Sequence, residues 1–214
     1  MVDQSVFATG LLNSYCGEED VRALLVGYDL SGLGPAETVS LRLKQLLPLT
    51  RAAVHDTAGR DFEQHTGEEL LVDGSGTARL SLLEQDRAPL QRVAEVSVGG
   101  TALPAEAYTV YARAAELRRA GGAMWPRGDQ NVRIVCDWGY AQTPPPVLLA
   151  QAKLTAAQLL AEAAGETISS ASVTLGDWSV RYAPGGKYGS VIERWLREAT
   201  EVLRGYRRVG VRAV

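Results

Sequence analysis

The residues of this chain that could do chemistry are few and scattered. His55 and Asp56 stand in tandem, with Asp61, Glu63 and His65 close behind, and only this cluster has residue types that suit a metal ion. A hydrolytic metal centre needs more His and Asp ligands, and the chain has just two histidines. The spacing matches no zinc helix pattern, so the run reads as the polar end of a helix. Asp73-Gly74-Ser75-Gly76 holds a Gly-x-Gly, but no third glycine follows and no helix opens after it. Cradling a phosphate takes a helix N-terminus aimed at the ligand. The same run is too short for a calcium loop, so it reads as a turn. Arg127-Gly128-Asp129 spells an integrin-type tripeptide, yet after Pro126 and before a strand it is ordinary turn chemistry. Cys16 and Cys136 lie far apart, whereas a disulfide framework or thiolate site needs more sulfur at closer spacing. No serine or cysteine sits in a nucleophile motif with a histidine partner. The expectation is a protein that is not an enzyme, with no catalytic residue, no cofactor and no metal.

Charge is distributed unevenly. The 214 residues are 46% apolar and carry a net charge of -3, enough to bury a core and too little for a polybasic nucleic-acid binder. From Lys187 onward there are seven basic residues against three acidic ones, so that end is net +4 and the rest net -7. After Tyr206, Val209, Val211 and Ala213 alternate with Arg208, Gly210 and Arg212. That pattern fits an exposed strand seeking an edge, and equally a frayed, solvated tail. No apolar run approaches the length of a membrane span. Met1-Val2-Asp3 lacks the basic flank of a signal peptide, so the chain is expected to be made and used in a cytoplasm.

The elements fall into three regions. The first, through about Gly67, reads as helical: acidic Glu18, Glu19 and Asp20 open a short helix, and Gly27 to Pro35 is a loop. From Ala36, Val39, Leu43, Leu46, Leu47 and Val54 share one helical face, with a kink or a break expected at Pro48 and a stop at Gly59. The second, about Glu68 to Trp138, alternates instead, most clearly at Val132, Ile134, Cys136 and Trp138, where Cys136 reads as a core residue. Asp73 to Gly76 and Gly99-Gly100 are expected hairpin turns, and Ala112 to Gly128 is a loop long enough to be mobile. In the third, Pro144-Pro145-Pro146 sets up an alanine-rich helix from Val147 to Ala164, stopped by Gly165. Its small side chains permit close approach of a second backbone, in the same subunit or a neighbouring one. A hairpin turning at Gly176-Asp177 follows, with Trp178, Val180 and Tyr182 alternating. A last amphipathic helix carries Val191, Ile192, Trp195, Leu196, Ala199, Val202 and Leu203 on one stripe. The expected fold is α+β and mainly helical: a helical bundle with an inserted small antiparallel sheet, then a C-terminal amphipathic helix plus an extended tail. Residues 1–208 read as a single domain with the β insertion at about 68–138, and residues 209–214 as the tail.

Several short motifs, in this order, resemble the head–tail connector (adaptor, or head-completion) family of tailed bacteriophages. They are Thr57-Ala58-Gly59-Arg60-Asp61-Phe62, Asp73-Gly74-Ser75-Gly76-Thr77 leading into Leu80 and Leu82, and Val96, Val98 and Gly99-Gly100. Tyr108-Thr109-Val110, the run from Gly128 to Ile134 ending at Gly139-Tyr140, Leu175-Gly176-Asp177, and Leu203-Arg204-Gly205-Tyr206-Arg207-Arg208 complete the series. The resemblance spans about Glu18 to Arg208. The chain departs from the family in the loop Gly27 to Pro35, in Pro48 and in the excursion Ala112 to Gly128.

The resemblance implies a virion protein that forms a homo-oligomeric ring, usually a dodecamer, below the portal. Such a ring completes the DNA-filled head, extends the channel and offers an attachment surface to the neck or tail. DNA passes through it without specific binding, no membrane is involved, and the subunit waits in the host bacterial cytoplasm before assembly. The expected partners are other copies of the chain, the portal protein and a neck or tail-completion protein. Arg204, Tyr206, Arg207, Arg208, Val209, Val211 and Arg212 are the expected portal-binding residues. The alternatives are a tail-completion or terminator protein and a monomeric module binding through its β insertion.

Overall fold

The computed structural model describes residues 14–83, 87–165 and 171–207, which fall into two compact units. The helical unit contains α1 (Glu18–Leu24), α2 (Ala36–Ala58), α3 (Pro145–Ala164), the β8–β9 hairpin (Ala171–Leu175 and Trp178–Tyr182) and α4 (Gly189–Tyr206). The β unit contains β1 (Gln64–Gly74), β2 (Arg79–Ser81), β3 (Leu90–Val98), β4 (Thr101–Ala102), β5 (Tyr108–Tyr111), β6 (Glu116–Arg119) and β7 (Gly128–Gly139). The chain is therefore α+β, with a larger strand component than a mainly helical bundle carrying a small insertion.

In the helical unit α3 lies at the centre, packed by α1, α2 and α4. Its alanines bring those neighbours close, and Ala150, Ala152, Ala156 and Ala157 are all buried within the unit. Prolines at its start need no N–H partner there, and Gly165 ends it in the left-handed conformation. On α4 the apolar stripe is buried through Ile192, Trp195, Leu196, Ala199 and Leu203. The loop between α1 and α2 is pinned to the start of α4. There Tyr28 stacks edge-on against Tyr188 and Trp195, and the Tyr188 hydroxyl donates to the Asp29 carbonyl at 2.9 Å. No helix among the described residues is long and apolar enough to cross a membrane.

α2 runs unbroken through Pro48, so the chain does not break into two helices there. Proline withholds one N–H from the helix, and α3 braces the position. Gln151 Nε2 donates to the Leu47 carbonyl at 2.8 Å, while the Thr50 hydroxyl bonds the Leu46 carbonyl and Thr155 at 3.1 and 2.8 Å. Thr50, Gln151 and Thr155 are fully buried, so these bonds form away from competing water.

The β unit has a four-stranded antiparallel sheet ordered β1-β7-β3-β4 and a three-stranded one ordered β2-β6-β5. Leu70 and Val72 from β1, Val96 from β3, Leu117 from β6, and Val132, Ile134, Cys136 and Trp138 from β7 share one core. Three expectations are corrected here. The helical region ends earlier, because β1 begins at Gln64 and Gly67 sits in a bulge where its N–H donates to Asp137. Asp73 to Gly76 is not a hairpin turn but a passage between sheets, held by the Asp73 carboxylate, which accepts from the Gln130 N–H, and by the Asn131 side-chain amide oxygen, which accepts from the Gly74 N–H. The excursion from Ala112 to Gly128 is no loose loop either: it contains β6 and buries Ala115, Leu117 and Trp125 completely.

Candidate interaction surface

The expected portal-binding residues begin at the last turn of α4. Arg204 and Arg207 are exposed and Tyr206 is half-buried, so the basic end of the helix faces outward once Leu203 has made its last core contact. Arg208, Val209, Val211 and Arg212 lie outside the described residues. Arg204 also stands at the mouth of a groove of 470 Å³ between α4 and the β8–β9 hairpin. Val173, Tyr182 and Leu196 give it an apolar wall, and Arg197, Glu201 and Arg204 a charged rim. Burial, and then the nearby Glu193 carboxylate, pushes the Tyr182 hydroxyl above its ordinary pKa, so it remains a neutral part of that wall.

A second groove, of 340 Å³, runs between α2, α3 and the hairpin turn, lined by Leu46, Leu49, Asp56, Asp177 and Trp178. Arg42 lies in its wall already paired with Glu162 at 2.6 and 2.7 Å. Burial would raise the Glu162 pKa, but hydrogen bonds from Arg42 and Gln158 outweigh it and hold the carboxyl below its usual range. Asp56 presses on the hairpin turn so closely that a side chain at Gly176 would collide with it.

The residues weighed above for chemistry do not converge. His55 lies 3.6 Å from Asp56 on exposed surface, whereas in the β unit His65 stacks flat on Trp138 at 3.9 Å between ring centroids. Among the described residues no three His, Cys, Asp or Glu side chains form a metal-holding group. Cys16 and Cys136 are buried free thiols, and burial pushes their pKa values up to about 12 and about 11, away from a reactive thiolate. Arg127-Gly128-Asp129 runs straight into β7. The depressed carboxyls Glu18, Glu69 and Glu198 each answer to a hydrogen-bonded cation, Arg22, Arg133 and Lys153, which is structural pairing on the surface.

No family model and no curated protein matches this chain. The solved structures similar to this chain include two from one kind of particle. One, from the neck of an empty GTA (gene transfer agent) particle computed with C6 symmetry, is 18% identical with a TM-score of 0.44, over 83% of this chain and 86% of that one. The other, from the neck of a native GTA particle computed with C12 symmetry, is 18% identical with a TM-score of 0.42, over 79% and 91%.

The basic C-terminus was legible from charge alone, but the grooves were not. Val173, Tyr182 and Leu196 belong to three elements, and each reads in sequence as an ordinary core residue. Their only sequence signal was the strand-then-helix order of the segment from 171 to 206.

Proposed function

We propose that this chain is a structural subunit of the head–tail connection of a tailed phage or phage-like particle. It acts as a ring, with twelve copies the expected number, stacked below the portal. There it completes the filled head, continues the DNA channel and presents a surface to the neck or tail.

The observation that carries this reading is the end of α4. The helix is fastened into its own unit by Trp195, Leu196 and Leu203, yet Arg204 and Arg207 leave that unit exposed beside an open groove. The chain then continues into a segment that is basic and alternating in an otherwise acidic protein. An anchored helix with a charged, extendable end suits docking on another protein, where backbone edges and carboxylates can be met together. Tyr206 and Arg207, with Arg208, Val209, Val211 and Arg212 beyond the described residues, are the residues proposed to make that attachment, while Arg204 stands on the groove rim. The motif order from Thr57 to Arg208 supports the same assignment.

Electron microscopy of the purified protein, alone and mixed with its portal, tests the proposal. Rings in either preparation are the expected result. A protein that stays monomeric and ignores the portal overturns it, and binding to tail tubes in place of portals reassigns it to tail completion.

A further inference from the structure

α2 turns a partly apolar stripe to solvent. Leu41 is 58% and Leu49 53% exposed, and Gln45, Ala52 and Asp56 continue the line at helical spacing. Single exposed leucines are ordinary on a surface, but two on one helix face, continued by Ala52, are apolar anchors at a spacing that a partner can meet. At the C-terminal end of the stripe stand the carboxylates of Asp56 and Asp177, and Asp177 makes no salt bridge among the described residues.

The groove beside α4 is the complement. Its wall of Val173, Tyr182 and Leu196 is apolar, and Arg197 and Arg204 on its rim make no salt bridge among the described residues. Glu193 and Glu201 share that rim, so it offers cations alternating with anions rather than a uniform field.

We propose that the α2 stripe of one copy docks in the α4 groove of a second copy. Leu41 and Leu49 enter the apolar wall, and Arg197 and Arg204 reach the carboxylates of Asp56 and Asp177. A helix laid in a groove, with apolar anchors one or two turns apart, is a recurrent way for proteins to bind. The two patches are on different helices and are unlike each other, so the contact is heterologous. Each copy keeps one free patch of each kind, and copies add head to tail until they close. The inference rests on the ring reading and supplies its lateral contact.

The test uses the full chain, with portal present if the wild type needs it to assemble. L41D/L49D spoils the stripe, and R197E/R204E spoils the groove rim. All four positions lie outside the core, so circular dichroism should match wild type. Each variant alone should lower the fraction in rings by about tenfold or more, as loss of central anchors does at other interfaces. The two variants mixed should give a discrete one-to-one pair and no ring, because each retains the patch the other lacks. D56R/D177R combined with R197E/R204E in one chain should recover rings. Wild-type rings with L41D/L49D rings undiminished overturn the contact and leave the ring reading standing. A wild type that is monomeric even with portal overturns both.

Discussion

Gly139 shows how a single position can hold the β unit in shape. Its φ is +90°, where a side chain is strained, and a Cβ there would run into the Glu63 carbonyl across the sheet. Its own N–H donates to the Pro89 carbonyl at 2.9 Å, so the backbone cannot swing away without breaking that bond. Gly99 offers a contrast, since its φ is +55° and nothing would meet its Cβ within 4 Å. G99A should therefore cost only the backbone term, about 1 kcal/mol. G139A adds a collision with backbone and should cost more, roughly 2–4 kcal/mol. Chemical denaturation of the two variants, with equal slopes, measures the gap. Equal losses would mean that the sheet relaxes around the new methyl group.

The brace at Pro48 belongs to a pair of helices rather than to one residue. Gln151 accepts from the Cys16 N–H at 3.1 Å and donates to the Leu47 carbonyl, so it ties the segment before α1 to α2 through α3. Q151L leaves the buried Cys16 N–H without this acceptor, while the Leu47 carbonyl keeps the Thr50 hydroxyl at 3.2 Å, and should lower stability by roughly 1–3 kcal/mol. T155V removes the hydroxyl's bonds to Thr50 and to the Gln151 carbonyl, but the Thr50 hydroxyl still has the Leu46 carbonyl, and the change should cost about 1 kcal/mol. A Q151L loss no larger than that of T155V would show that Pro48 needs no brace. The bond from Gln151 explains why the sequence suggested a break at this point: that partner of Leu47 lies about a hundred positions along the chain, beyond any local pattern. Elements with one buried face were legible, as β7, the β8–β9 hairpin and α4 show. β6 was not, because Glu116-Leu117-Arg118-Arg119 has a single apolar residue and shows no alternation to read. The polar start of β1 failed to register as strand for the same reason. For the candidate surface, the arginines were visible as charge, but Leu41 and Leu49 resemble their buried neighbours Leu43 and Leu46 until the packing is known.

The assembly reading gives two surfaces of the chain separate work. Lateral contact is assigned to α2 and the groove beside α4, and axial contact to the segment that follows α4. An extended segment gains little alone, because its ordering costs entropy and its backbone is already hydrated. Docked on an exposed sheet edge of the portal, as proposed, it would gain backbone bonds, and its arginines would pair with carboxylates. Leu203 is the last buried residue of α4, so the helix keeps its described anchors when Val209 to Val214 are deleted. The truncated protein should keep its circular dichroism and its rings, yet fail to attach to portal-bearing heads. Sedimentation of filled heads with intact and truncated protein, each detected by immunoblot, makes the comparison directly. If the truncated protein sediments with heads as well as the intact one, the segment is a frayed end and the portal contact must lie elsewhere on the ring. If rings are lost as well, the segment also contributes to the contact between neighbouring copies, and the division of labour between α2 and the C-terminus fails.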